Sequence, residues 1–395
     1  MISEKMKAYV AGSSAIRAMF EEGKKMAAKY GAENVYDFSL GNPSIPAPEK
    51  VREAIIEVAN EENTLVTHGY MNNSGFEDVR EAIANSINKR FATNFNLGNI
   101  VMTVGAAGGL NVILKTLLNP GDEVIVFVPY FGEYRSYVAN FDGKIVEVET
   151  DDRFMIDGDK LRAAITSKTK AVIVNNPNNP TGAVYSEDII KELAKVLDEK
   201  QKELGTSIYL ISDEPYRELA YDGVEVPYLT KYYKNTIVGY SYSKSLSLPG
   251  ERIGYLVVPS EIDDYDDVIA ACNVATRILG YVNAPSLMQK VIVKCLDEKT
   301  DVDKYDQNRK YLYENLSKFG FEMIKPEGAF YLFLKSPVAD EKEFVSKAKE
   351  FNLLIVPGSS FGKAGYVRLA YCVSFDTVKN SMASFEKLAK AYNLI

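Results

Sequence analysis

The chain has 395 residues, 46% of them apolar and 25% charged, with both signs interspersed and a net charge of −8. That length exceeds one small core, that composition excludes a disordered or low-complexity chain, and the acidic balance supplies no basic stripe for a nucleic-acid backbone. The single histidine, His68, excludes a histidine-rich metal centre and would have to serve any Ser-His-Asp triad, so other side chains are expected to carry proton transfer.

The first 31 residues form a charged, amphipathic stretch without the uninterrupted apolar core of a secretory signal. No apolar run approaches the ~20 residues that cross a bilayer. Cys272, Cys295 and Cys372 lie far apart without CxxC spacing, so neither a disulfide framework nor a metal site is indicated, and the cytoplasm is the expected address. From residue 100 onward, short β-branched runs alternate with helical patterns. IVMTVG (100–105), EVIVFV (123–128), AVIVNN (171–176), IYLIS (208–212), TIVGYS (236–241) and IGYLVV (253–258) read as strands of near-continuous apolar character. Such strands need both faces covered, which predicts an α/β fold with a three-layer αβα large domain and a mostly parallel sheet. Helices are expected over 107–118, closed by Asn119-Pro120-Gly121, and over 186–204, closed near Gly205.

Past residue 285 the pattern changes to a helix near 304–318, a hairpin-like pair around PEGAFYLFL, helices over 340–351 and 375–392, and the strand GYVRLAYCV between them. This reads as a smaller α+β domain. The expected division is a large domain at 46–285 and a small domain made of 1–45 with 286–395.

Chemistry concentrates at the strand ends. Lys244 stands in SYSKSLSLPGERIGY (241–255), just after the strand TIVGY and eight residues before Arg252. A lysine after a strand is ordinarily a solvated cation, whereas one in a cleft loses basicity and becomes an amine nucleophile able to form a Schiff base. Neighbouring loops bear on the choice. NPNNPTG (176–182) follows a buried strand and presents the Asn179 amide, although Asn-Pro sequences also make ordinary turns. Asp213 follows IYLIS, with Tyr216 close behind, and a carboxylate buried there needs a cation or hydrogen bonds. In TVGAAGGL (103–110), small residues join a strand to a helix start, where backbone N–H groups suit an anion; packing alone also explains such turns. Arg252 adds bidentate geometry for phosphate, and Ser241 and Ser243 add hydroxyls. An amine nucleophile, a carboxylate for a protonated ring nitrogen, an amide and phenol for a ring oxygen, and an anion cradle are the parts of a pyridoxal 5′-phosphate site.

At these residues the chain resembles the class I/II aminotransferases of the aspartate aminotransferase superfamily, pyridoxal phosphate fold type I. The likeness runs in order through FSLGNPSIPAP (38–48), HGYMNNSGFEDVREAIA (68–84), TVGAAGGL, VPYFGEY (128–134), NPNNPTG, SDEPY (212–216), SYSK (241–244) and GYVRLAYCVS (365–374). The resemblance implies that Lys244 carries the cofactor and shuttles the proton, and that Asp213 holds the pyridinium proton. It assigns Asn179 and Tyr216 to the ring oxygen, and the amides of Ala106 and Ala107 with Ser241, Ser243 and Arg252 to the phosphate. Phe131 takes the place of the stacking aromatic in a chain without tryptophan. Gly41, Asn179 and Arg368 would meet the substrate, Arg368 as a bidentate clamp on its α-carboxylate. Tyr70 would reach the phosphate of a neighbouring subunit, making the active unit a homodimer.

The activity implied is a ping-pong exchange of an amino group between an amino acid, aspartate or another, and a 2-oxo acid such as 2-oxoglutarate. A carbon–sulfur β-lyase of cystathionine type would use the same lysine and aspartate, and is the alternative. Side-chain specificity stays open: Arg277 lies where a cation for a distal carboxylate would sit, with a solvated helix arginine as the ordinary reading, and residues 12–19 are candidates for the substrate mouth.

Overall fold

The computed structural model describes residues 2–11, 15–61 and 63–395. Seven strands form the main sheet: β1 (Ile100–Thr103), β2 (Glu123–Val128), β3 (Lys144–Glu149), β4 (Thr169–Asn175), β5 (Tyr209–Asp213), β6 (Thr236–Ser241) and β7 (Gly254–Val257). Their order is β1-β7-β6-β5-β4-β2-β3, with β7 antiparallel to both its neighbours and every other pair parallel. The central parallel strands are apolar through their middles because both faces are covered. Ile173, Ile211 and Ile237 pack on one face with Leu110, Ile113 and Leu114 of α1 (Gly105–Leu117). On the other face, Val172 and Leu210 meet Ile190, Leu193 and Leu197 of the helix Glu187–Leu204. That helix starts at Ser186, whose side chain accepts from the Ile189 N–H, and stops at Gly205 in the left-handed region (φ 64°).

A second sheet joins β8 (Tyr331–Lys335), β9 (Val356–Pro357) and β10 (Tyr366–Ala370) in the order β9-β10-β8, antiparallel throughout. Helices Val302–Lys318, Glu341–Glu350 and Phe375–Ala391 pack around it. The N-terminal segment adds Met26, Phe38 and Ile45 to this core, and Tyr36–Asp37 pairs in parallel with Leu353–Leu354. Tyr216, Leu219 and Tyr221 reach into the same core from the loop after β5. No helix among the described residues is long and apolar enough to cross a membrane.

Three features depart from the sequence expectation. Lys144–Glu149 is a strand that the apolar pattern did not reveal, because it lies at the sheet edge with alternate residues facing solvent. Gly105, expected at a strand end, opens α1 instead, with φ at +68°. The hairpin expected around PEGAFYLFL is reduced to one bridge between Met323 and Leu334, while Gly328 bridges Ala220 and β8 takes its full partner from β10.

Directly after Asp213, Glu214 pairs with Arg217 in the interior, their side chains 1% and 4% exposed. Glu214 also accepts from Ser212 Oγ at 2.7 Å, and Arg217 donates to the carbonyls of Val226 and Pro227 at 2.9 Å each. The guanidinium lies 5.1 Å from both the Phe91 and Tyr228 rings. This network fixes the loop that carries Tyr216. Removing one partner strands a buried charge, so Arg217→Met is expected to cost about 3–5 kcal/mol in urea unfolding, with much of the loss recovered in the double variant E214Q/R217M.

Candidate active site

Because β7 runs against both neighbours, the carboxyl ends of β1 and β6 and the start of β7 share one edge: Gly254 pairs with Thr103 on one side and Ser241 on the other. The carboxyl ends of β4 and β5 lie on that edge as well, with Asn175 opposite Asp213. Around them opens a cavity of about 270 Å³. Its lining contains Lys244, Asp213, Tyr216, Asn179, Arg368, Gly41, Phe131, Ala106, Ala107, Ser241, Ser243 and Arg252, every site residue expected from the sequence except Tyr70.

Lys244 lies on the single helical turn Tyr242–Ser245 that follows β6, started by Ser241, whose Oγ accepts from the Ser243 N–H. The lysine Nζ donates to the Gly41 carbonyl at 2.7 Å and sits 5.2 Å from the Phe330 ring centroid. Burial lowers its pKa to about 8, since the cation has lost water without gaining a carboxylate.

Asp213 ends β5 and is 4% exposed. One oxygen, Oδ2, accepts from the Tyr134 hydroxyl at 2.5 Å. The other, Oδ1, is buried with no hydrogen-bond partner among the described residues. Burial raises this carboxyl to about 7, against the Tyr134 hydrogen bond, which favours the ionised form. A donor or a positive group brought to Oδ1 satisfies the orphaned oxygen and pulls the proton equilibrium back toward carboxylate.

The anion cradle is built from two chain segments. Val104 precedes α1, so the first amides of the helix, at Gly105, Ala106 and Ala107, have no intrahelical acceptor. Arg252, itself at φ +53°, donates to the carbonyls of Pro249 at 2.9 Å and Val104 at 3.4 Å. A Cβ on Gly105 would come within 2.5 Å of Arg252 Nη2, so this glycine is required both by its φ and by the guanidinium beside it. Ser241 and Ser243 hydroxyls are 2.8 Å apart. Helix amides, two hydroxyls and a guanidinium at one end of a cavity suit a phosphate dianion.

Arg368, on β10, is 2% exposed. It donates to the Ser39 carbonyl at 2.6 Å and to Asn179 Oδ1 at 3.1 Å, while its Nε has no partner among the described residues. Asn179 is held in turn by its own N–H, which donates to Asn175 Oδ1 at 2.7 Å. Burial lowers the basicity of this guanidinium, and no carboxylate neutralises it.

Several residues in or behind the cavity wall escaped the sequence reading. Tyr134, at the start of the helix Glu133–Asn140, holds Asp213 and meets the Phe131 ring edge-on at 5.6 Å. Asn175 donates to the Asp213 carbonyl at 2.9 Å, and Tyr331 bonds to Tyr216. The motifs VPYFGEY and GAFYLFL contained the tyrosines, but an aromatic in an apolar run reads as core. Tyr70 is 93% exposed and lies outside the cavity. Arg277 is likewise exposed, on the helix Tyr265–Ile278, and does not line the cavity. Of the stretch 12–19, residues 12–14 and the side chains of 15–18 lie outside the described residues, and Met19 is buried in the second core.

Comparison with known proteins agrees with this geometry. The family aminotransferase class I and II matches residues 33–385. The aspartate/prephenate aminotransferase of Thermus thermophilus is 31% identical over 89% of this chain and 90% of its own length. Aromatic-amino-acid aminotransferase 2 of Thermococcus litoralis is 30% identical over 97% of each chain. Among solved structures, an amino transferase from Eubacterium rectale superimposes over the whole of both chains with a TM-score of 0.96 and 48% identity.

The state of the lysine is directly measurable. With a pKa of about 8, Lys244 is roughly a tenth neutral at pH 7, against roughly 0.03% for an ordinary lysine. In protein freed of any cofactor, acylation of Lys244, followed by peptide mass spectrometry, is expected to rise with a midpoint near 8 and to precede that of surface lysines.

Proposed function

The chain belongs to the aminotransferase class I and II family and is an aminotransferase, and from that premise we propose that it binds pyridoxal 5′-phosphate in the strand-end cavity. The observation that carries this reading is the buried Asp213 Oδ1, without a hydrogen-bond partner among the described residues, in the same cavity as an amine of lowered basicity. A pyridinium N–H supplies what that oxygen lacks, and the α1 amides with Ser241, Ser243 and Arg252 match a phosphate. Asn179 and Tyr216 would meet the ring oxygen and Phe131 the ring face. When bound, the group supplies an aldehyde that joins an amine as an imine and a ring that withdraws electrons from the substrate Cα–H bond.

The chain's residues do the rest. Asp213, ionised by its new partner, keeps the ring nitrogen protonated, and Tyr134 holds its rotamer. Arg368 takes the substrate carboxylate in a bidentate grip, aided by the Gly41 segment and Asn179, and so orients Cα toward Lys244. Lys244 Nζ removes the Cα proton and returns it, its lowered pKa leaving enough free amine to act near neutral pH.

An amino acid and a 2-oxo acid are the proposed substrates, exchanged by ping-pong turnover. The named relatives act on aspartate, prephenate or aromatic amino acids, so the side chain accepted here is to be found by screening with 2-oxoglutarate. Family and relatives favour transfer over the β-lyase alternative. The proposed domain division is 46–285 against 1–45 with 286–395, supported by the separate apolar cores. The proposed address is the cytoplasm, in keeping with three free, buried cysteines.

We further infer a homodimer in which Tyr70 reaches the partner's phosphate. Leu65, Val66 and Tyr70 are exposed, as are Val274, Ile278 and Val282. The two groups belong to one surface: Asn73 Nδ2 donates to the Val282 carbonyl at 2.8 Å, and Ser74 bonds Asn273. An apolar patch of this kind marks an association site.

Reconstituted protein is expected to show a visible absorbance band that borohydride abolishes, with the label on Lys244 and no other lysine; a colourless protein, or label elsewhere, overturns the cofactor assignment. Amino transfer without ammonia release is expected, and ammonia from cystathionine would restore the lyase. Arg368→Met should raise the amino-acid KM on the order of 100-fold, from loss of a desolvated charge pair. The variant I278D/V282D is expected to sediment as monomer and to retain cofactor less tightly.

A further inference from the structure

Tyr331 opens β8, pairs with Ala370 of β10, and is 2% exposed. It touches both recognition ends of the cavity. Its hydroxyl oxygen lies 2.8 Å from that of Tyr216, and the Arg368 guanidinium lies 4.5 Å from its ring centroid. Phe361 covers the guanidinium as well, at 4.7 Å. The hydroxyl also abuts the N-terminal segment: a Cβ on Gly41 would fall 2.1 Å from it. The titratable and charged groups facing it are Tyr216, Arg368 and Cys372, with Lys244 next to them on the Gly41 carbonyl.

Each contact has a chemical consequence. Tyr216 has a single proton. Once that proton is given to a ring oxygen, the Tyr216 oxygen is left as an acceptor, and Tyr331 is the donor within reach. A donor on a phenol oxygen polarises its O–H and strengthens the bond it gives. The electron-rich ring face, meanwhile, holds the guanidinium in the plane set by its bonds to Ser39 and Asn179, ready for a carboxylate.

We propose that Tyr331 is a positioning residue that couples the substrate-carboxylate clamp to the cofactor's ring-oxygen contact, its hydroxyl serving Tyr216 and its ring serving Arg368. This rests on the pyridoxal phosphate reading of the cavity. The two roles separate by substitution: Tyr331→Phe removes the hydroxyl and keeps the ring, while Tyr331→Leu removes both.

The holoenzymes are compared by the pH midpoint of the visible band, by kcat and KM, and by Kd for two unreactive carboxylates, succinate and 3-phenylpropanoate. For Y331F the midpoint is expected to rise by about half a pH unit, because a weakened Tyr216 bond stabilises the ring oxygen's charge less, while kcat falls severalfold and Kd stays within about threefold. For Y331L the Kd of whichever carboxylate the wild type binds is expected to rise about tenfold, from loss of the desolvated cation–π contact. An unmoved midpoint in Y331F, or carboxylate binding by Y331L within twofold of wild type, overturns the proposal. If Y331L does not fold, Y331F decides alone, since it loses one oxygen atom. A wild type that forms no lysine-linked band would instead refute the underlying cofactor reading, whatever the Tyr331 variants do.

Discussion

A carboxylate buried at the end of a parallel strand is the constraint from which the rest of this molecule follows. Asp213 is flanked by strands on both sides and 4% exposed, so its charge is poorly solvated. Tyr134 and Asn175 secure one oxygen and the main-chain carbonyl, and leave the second oxygen aimed at an open cavity. By itself the arrangement is poised between protonation states. A cationic ring would resolve it, and the cavity holds the amine, anion cradle and stacking ring that the proposed group would require. The Glu214–Arg217 pair next along the chain holds this geometry from behind, where apolar packing alone would not fix a loop leaving the sheet.

The second core completes the site. Arg368 comes from β10, bonds the Ser39 carbonyl of the N-terminal segment, and touches Asn179 from the loop after β4. Lys244 bonds the Gly41 carbonyl, so the lysine proposed as catalytic, from the main sheet, also contacts that segment. In the proposed reading, substrate and cofactor recognition fall mainly to different sheets and meet across a few polar bonds. Tyr331 and Tyr216 form one such meeting point.

Much of this was legible in the sequence, for physical reasons. Strands β4, β5 and β6 are apolar through their middles because helices cover both their faces, and the polar residues at their carboxyl ends line the candidate site. Lys244, Asp213 and Asn179 stood out as polar groups placed directly after such runs. The edge strand Lys144–Glu149 did not, since half of its side chains are wet and its alternation resembles a surface loop. Tyr134 and Tyr331 were hidden because their rings pack like any core aromatic, and only coordinates show where the hydroxyls point. The role of Gly105 was obscured too: a glycine in a small-residue turn says nothing of an arginine beside it that is distant in sequence. Arg277 and Tyr70 lie on the surface of a single chain, and no pattern within that chain tells what a second copy would bring to them.

The antiparallel β7 has a bearing on how this protein comes into being. It lies between β1 and β6, so the anion cradle joins the turn after Thr103 to Arg252, two residues before the strand that pairs through Val257 with Ile100. A ribosome releasing the chain exposes the helix amides early, yet they stay without their guanidinium until the later strand has emerged and slotted between two already made. Contacts so far apart along the chain close slowly. A nascent chain stalled before that point would leave β1 and β6 without the strand that joins them, and the anion cradle would stay unassembled until the gap had closed.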